Sequence, residues 1–378
     1  MINSKTNNAM KTITGGFCTV LTFCFALLFS CEHASANITI LKNSGGANLI
    51  ENTLVATTVS VSQGADYLAL PLNMSADDQL VVFKDTTLNR LTDVADVFPT
   101  KYRDDGNYYV VDFSLGELRQ LRLRNVFEEE SSSLSLGIPT LKEELTLIRS
   151  LNSLLNKETG VVLTLQDPTF YNKEGKGLSR ELQQTLQLLS YTPQDKLFIE
   201  CSDPDELQKI SRWPRAENGD RFSLIQQIQL KQSRGEEQPE KAPIRYQHDW
   251  LFTNSGLRIL ASYATAVALP SELVKASSPT IDNLMLSLRN YGINIFLQSE
   301  NNSSQREGDF DGTYFDSIDV TPVQGGKKNS ISTLNPDPQT EKSTLPLFFS
   351  NLGLSQPNNT DKQNDGDSTE ESFSEEPQ

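Results

Sequence analysis

From residue 37 to about 354, short runs of aliphatic and β-branched residues alternate with stretches whose apolar positions recur every three or four residues. ITIL (38–41) reads as a strand. It is followed by ENTLVATTVSVSQ (51–63), where Leu54, Val55, Val59 and Val61 suit one packed helix face. YLALPL (67–72) and LVVF (80–83) have the composition of strands. PTLKEELTLIRSLNSLL (139–155) predicts an amphipathic helix, with Leu141, Leu145, Ile148 and Leu151 on its apolar stripe. The alternation continues through GVVLTL (160–165), SRELQQTLQLLSY (179–191), KLFIEC (196–201) and DPDELQKI (203–210). FSLIQQIQ (222–229), SGLRILASYA (255–264) and NLMLSLRNYGINIFL (283–297) complete it. Repeated strand–helix units predict parallel βα pairs and an α/β fold. A closed barrel and an open doubly wound sheet both fit, but no GxGxxG follows a strand and no GxxxxGK[ST] occurs. For the last strand, GTYFDSIDV (312–320) and TLPLFFSNL (344–352) compete.

Charge and the chain ends narrow the setting. The 378 residues carry 49 acidic and 33 basic side chains, a net charge of −16. That balance argues against a nucleic-acid partner, which requires clustered Lys and Arg. Lys5 and Lys11 are the only charges before Glu32, and FCTVLTFCFALLF (17–29) follows them. A basic head before a short apolar run predicts an export signal, too short to span a bilayer. LFSC, ending at Cys31, is similar to a bacterial lipobox and predicts a signal over residues 1–30 with lipid attached at Cys31. The alternative is an ordinary cut after ASA (34–36). Export to the periplasm or cell surface, with no membrane contact beyond that lipid, is the expectation. Cys18 and Cys24 leave with the signal, so Cys201 alone remains in the folded part and no internal disulfide forms. Its flanks predict a buried strand. Residues 355–378 are acidic and nearly free of apolar side chains, a composition expected to be disordered, and 323–344 reads as a polar surface loop.

The stretches ENTLVATTVSVSQGADYL, VVFKDTTLNRLTDVADVFPTKYRDDGNYYVVDFSLGEL and PTLKEEL, with KLFIECSDPDELQKI and YQHDWLF further on, resemble the periplasmic branch of the bacterial glycerophosphodiester phosphodiesterases. The resemblance implies a TIM-type (β/α)8 barrel over residues 37–354. It also implies a small insertion at about 86–137 and an active site at the C-terminal ends of the strands. It further implies a His-Arg pair closing the first strand, but Lys42 and Asn43 stand there. A cation-binding Glu-x-Asp is implied on the second strand, where this chain has Ala69 and Pro71. A second catalytic histidine is implied where Lys84 precedes Asp85. A third metal-binding Glu and its lysine neighbour correspond to Thr164 and Gln166.

Phosphodiester cleavage needs neutralised oxygens and a proton for the leaving alkoxide. Ca²⁺ and Mg²⁺ take hard oxygen ligands, usually with carboxylates among them. The whole chain has two histidines, His33 and His248, one at the signal border and one in RYQHDW. A two-histidine acid–base pair therefore cannot assemble at the mouth, and the expectation is a degenerate site with no catalytic residue, metal or cofactor. Glu51, Asp85, Asp167 and Glu200 remain as acids, each expected to serve the structure: Glu51 at a helix start, Asp85 in a turn, Asp167 in a loop before Pro168. Lys42, Asn43 and Lys84 form a candidate anion site for a phosphate- or carboxylate-bearing small molecule. The competing expectation is that the two lysines pair with Asp85 and Glu51. Hydrolysis by substituted groups is the alternative function.

Overall fold

The computed structural model describes residues 38–42, 49–124, 136–229, 249–275, 279–298 and 310–316. Cys31, His33, Asn43, His248, the 323–344 segment, TLPLFFSNL and the acidic tail lie outside the described residues.

The elements run β1 (Ile38–Lys42), α1 (Leu54–Gln63), β2 (Tyr67–Met74), β3 (Leu80–Val82), α2 (Val94–Val97), α3 (Leu115–Leu118) and α4 (Leu141–Leu155). They continue as β4 (Gly160–Leu165), α5 (Pro168–Lys173), α6 (Leu178–Leu188), β5 (Leu197–Cys201), α7 (Pro204–Ile210) and β6 (Ser223–Gln227). The last are α8 (Asn254–Tyr263), β7 (Ala266–Pro270), α9 (Ser271–Lys275), α10 (Pro279–Asn290), β8 (Asn294–Gln298) and β9 (Gly312–Phe315). Eight strands pair in parallel in the order β1-β9-β8-β7-β6-β5-β4-β2, and β1 also pairs with β2, which closes a TIM-type barrel. β3 is the exception, lying antiparallel on β2. The closing strand is GTYF, which decides between the two sequence candidates.

Alternation along each strand explains why these runs are apolar throughout. Ile40, Tyr67, Ala69, Val162, Ile225, Ala268, Phe296 and Tyr314 pack together inside the barrel. Their neighbours Leu68, Leu70, Val161, Leu163, Ile199, Val267 and Leu297 face the surrounding helices. Cys201 belongs to this outer set, fully buried, and burial pushes its thiol well above the ordinary cysteine range. Core packing is its role, as the sequence predicts.

Local signals set the helix starts. Thr140 and Glu143 form a capping box on α4, and Asp203 with Pro204 opens α7. The apolar stripe of α4 is buried as expected. That of α1 is not. Its buried residues are Ala56, Thr57, Ser60 and Val61, whereas Val55 is exposed. Small side chains face α4 there, and the Thr57 hydroxyl donates to Glu144 Oε2 at 2.6 Å.

Residues between β3 and α4 form a second apolar cluster around Phe83, Leu88, Val94, Tyr108, Val110 and Phe113. Arg103 bolts this layer to the barrel. Its guanidinium makes two bonds of 2.7 Å to Asp112 and reaches Glu174, at the end of α5, at 2.8 Å. It also lies 4.6 Å over the ring of Tyr109, which stacks on Phe170.

Candidate functional site

In a βα barrel the C-terminal strand ends form the mouth. Register places the implied catalytic positions side by side there: Lys42 opposite Ala69, Pro71 opposite Thr164, and Thr164 opposite Glu200. Across the lumen, Gln298 lies opposite Tyr314.

The buried acid at the mouth is Glu200 on β5. Its Oε2 accepts from the Thr164 hydroxyl at 2.7 Å and its Oε1 from the Tyr314 hydroxyl at 2.8 Å. β5 and β9 are four strands apart in an eight-stranded ring, so the Tyr314 bond crosses the full lumen. Burial pushes the Glu200 carboxyl above the usual glutamate range, against the pull of hydrogen bonds from Thr164, Tyr314 and Gln298 and of the Lys42 charge. Burial also drives the Tyr314 hydroxyl far up, and the adjacent carboxylate adds to that. Tyr314 lies on the closing strand, far along the chain, and no local pattern pairs it with Glu200. Sequence reasoning missed it as a site residue.

The predicted site residues are held by separate partners. Lys42 ends β1 with its Nζ 3.1 Å from Asp316 Oδ1, just beyond β9. Lys84 follows β3, half exposed, with its Nζ 3.3 and 3.4 Å from the two oxygens of Glu51. Asp85 does not pair with either lysine. It takes a two-pronged contact from Arg90, both bonds 2.8 Å, and Asn73 fixes the turn by donating to the carbonyls of Phe83 and Asp85. Glu51 precedes α1 by three residues, and the cap of that helix is Thr53, so the charge of Glu51 serves the lysine rather than the helix start. Asp167 caps α5 by accepting from the Phe170 amide.

A divalent cation does not fit this donor set. Ala69 and Pro71 have no side-chain oxygen, and the Thr164 hydroxyl points its proton at Glu200. Among the described residues no group of three His, Cys, Asp or Glu side chains is arranged to hold a metal.

The profile of the glycerophosphoryl diester phosphodiesterase family matches residues 43–319. The chain belongs to that family. A glycerophosphodiester phosphodiesterase of Treponema pallidum is 28% identical over 258 residues, covering 64% of this chain and 72% of that protein. One from Haemophilus influenzae is 28% identical over 249 residues, covering 62% and 68%. Among solved structures, one from Silicibacter pomeroyi described as a glycerophosphoryl diester phosphodiesterase superposes with a TM-score of 0.52 at 16% identity, covering 75% of this chain and 91% of its own. An Oleispira antarctica phosphodiesterase in complex with sn-glycerol-3-phosphate gives 0.50 at 16% identity, covering 74% and 92%. Both likenesses concern the fold, the same closed barrel of this family.

Proposed function

We propose that this chain is an exported, non-hydrolytic member of the glycerophosphodiester phosphodiesterase family that binds a phosphate- or carboxylate-bearing small molecule at its mouth. One observation carries the reading. The three strand positions implied to supply cation carboxylates are Ala69, Pro71 and Thr164, and the last already donates to Glu200. Without that cation, positive charge at the mouth comes from Lys42 and Lys84, with Asn43 next to the first. A lysine ammonium is a compact point charge that attracts an anion. Each lysine already has a carboxylate partner, so an incoming anion competes with Asp316 or Glu51. Binding should therefore be weak and fade as salt rises.

The test is a turnover assay on the purified mature protein. With glycerophosphocholine and Ca²⁺ or Mg²⁺, release of glycerol 3-phosphate is expected to stay at background, and neither cation should raise Tm. Turnover abolished by a chelator would overturn the reading in favour of the activity for which the relatives are named. Glycerol 3-phosphate should bind in the millimolar range, and the Lys42→Ala, Lys84→Ala double variant should lose that binding while staying folded. Equal binding by both proteins, or by neither, removes the anion site. The export part rests on the basic head and apolar run before Cys31. Mass analysis of the mature amino terminus should find a lipid on Cys31. A start at Asn37 would mean plain secretion, and a retained Met1 would sink export.

A further inference from the structure

The end of the barrel opposite the mouth carries a cavity of about 630 Å³ between the loop that leads into β5 and the loop that leads into β6. Its size is typical of small-molecule sites. Tyr191 comes from the first loop, and Trp213 and Phe222 from the second, all half-buried. Trp213 meets Phe222 edge to face, centroids 6.1 Å apart at 88°, so the two rings form a corner rather than a parallel slot. Arg149 lies 4.4 Å over Tyr191 and donates to the carbonyl of Leu189, which fixes that ring from outside the cavity. The two loops are tied to each other. Gln194 Nε2 donates to Asn218 Oδ1 at 2.9 Å, and Asn218 in turn donates to Asp220.

Around the aromatic corner stand amides: Gln183 and Gln187 from α6, with Gln194 and Asn218 at the rim. Arg215 and Glu217 add one charge of each sign. A side-chain amide presents a donor and an acceptor together, which suits neighbouring hydroxyls that each donate and accept. Aromatic faces suit the apolar C–H face of a ring, and balanced charge disfavours an ionic ligand.

We propose that this cavity binds an uncharged saccharide, with a sugar ring against Trp213 and Tyr191 and its hydroxyls on Gln183 and Gln187. The site is independent of the mouth and of the reading given for it. A proline-rich peptide, which also favours aromatic surfaces, prefers slots between ridges, and the right-angled rings do not form one.

The chain has two tryptophans, and the other, Trp250, does not line the cavity, so a Trp250→Phe variant makes Trp213 the sole reporter. This variant should be titrated with neutral mono- and disaccharides of gluco, galacto, manno and N-acetylhexosamine configuration, and separately with a polyproline peptide. At least one sugar should shift or quench the Trp213 emission saturably at millimolar concentration. Adding Gln183→Ala and Gln187→Ala should weaken that response at least tenfold while the circular dichroism and melting curve stay unchanged. The inference is overturned if no sugar in the panel changes the emission, if the amide variants respond as the parent does, or if only the polyproline peptide binds. If the amide variants unfold, Gln183→Glu and Gln187→Glu replace them. Unchanged sugar affinity in those would equally overturn it.

Discussion

Glu200→Ala is expected to cost about 4 kcal/mol of folding stability, whereas Glu200→Gln should cost about 1 kcal/mol. Alanine leaves the hydroxyls of Thr164 and Tyr314 without an acceptor inside the lumen, at about 1–3 kcal/mol each, and opens a cavity between β5 and β9. Glutamine keeps an oxygen for Tyr314 and supplies an amide that can donate to the Thr164 hydroxyl instead. Burial disfavours the charged form of this carboxyl, and glutamine keeps its shape without a charge to desolvate. Urea midpoints of the three proteins decide the matter. Equal stability of the alanine and glutamine variants would mean that the cross-lumen bond contributes nothing.

The stability of the protein should fall as pH rises from 4.5 to about 7, and Glu144→Gln should remove most of that fall. Glu144 is fully buried between α1 and α4. Burial pushes its carboxyl up to about 7 from 4.5, only partly opposed by the Thr57 hydroxyl. Its Oε1 and the hydroxyl of Ser60 are among the buried polar atoms that find no hydrogen-bond partner in the described residues. Between those two pH values the folded chain keeps the proton and the unfolded chain has released it. The contribution is therefore complete below pH 4.5 and is lost as pH climbs through about 7. Two and a half units correspond to about 3 kcal/mol. Denaturation of wild type and variant at both ends of this window should show the variant more stable at the upper end by about that amount. If the two curves stay parallel across the window, Glu144 is ionised at neutral pH and the burial argument fails.

How much of this was legible in the sequence depended on whether the cause was local. Runs such as GVVLTL and KLFIEC are strands because both their faces are covered, and the apolar continuity that records this survives without any tertiary information. The α4 stripe was legible for the same reason. The packed face of α1 was legible only at Val61, because Ala56, Thr57 and Ser60 are selected by close approach to α4, and hydrophobicity ranks Val55 and Val59 above them. β7 is an AVALP run too short and too alanine-rich to register as a strand, yet it is wholly buried. At the mouth, the types at positions 42, 69, 71, 84 and 164 could be read off directly. Their partners could not, since Asp316 and Tyr314 come from the far end of the chain and Arg90 from the layer after β3. The aromatic corner is invisible in sequence because Tyr191, Trp213 and Phe222 sit in two separate loops.

The seam of the barrel has a consequence for how the chain assembles. β1 lies beside both β2 and β9, so the ring is joined by its earliest and its latest strands. During synthesis, β1 and β8 each keep a bare row of amides and carbonyls until Gly312–Phe315 has emerged. An arrested chain that stops short of Gly312 is thus an open sheet with two adhesive borders, able to pair with a second arrested copy. Closure comes as a single late event, and the seven strands before it have to wait for it.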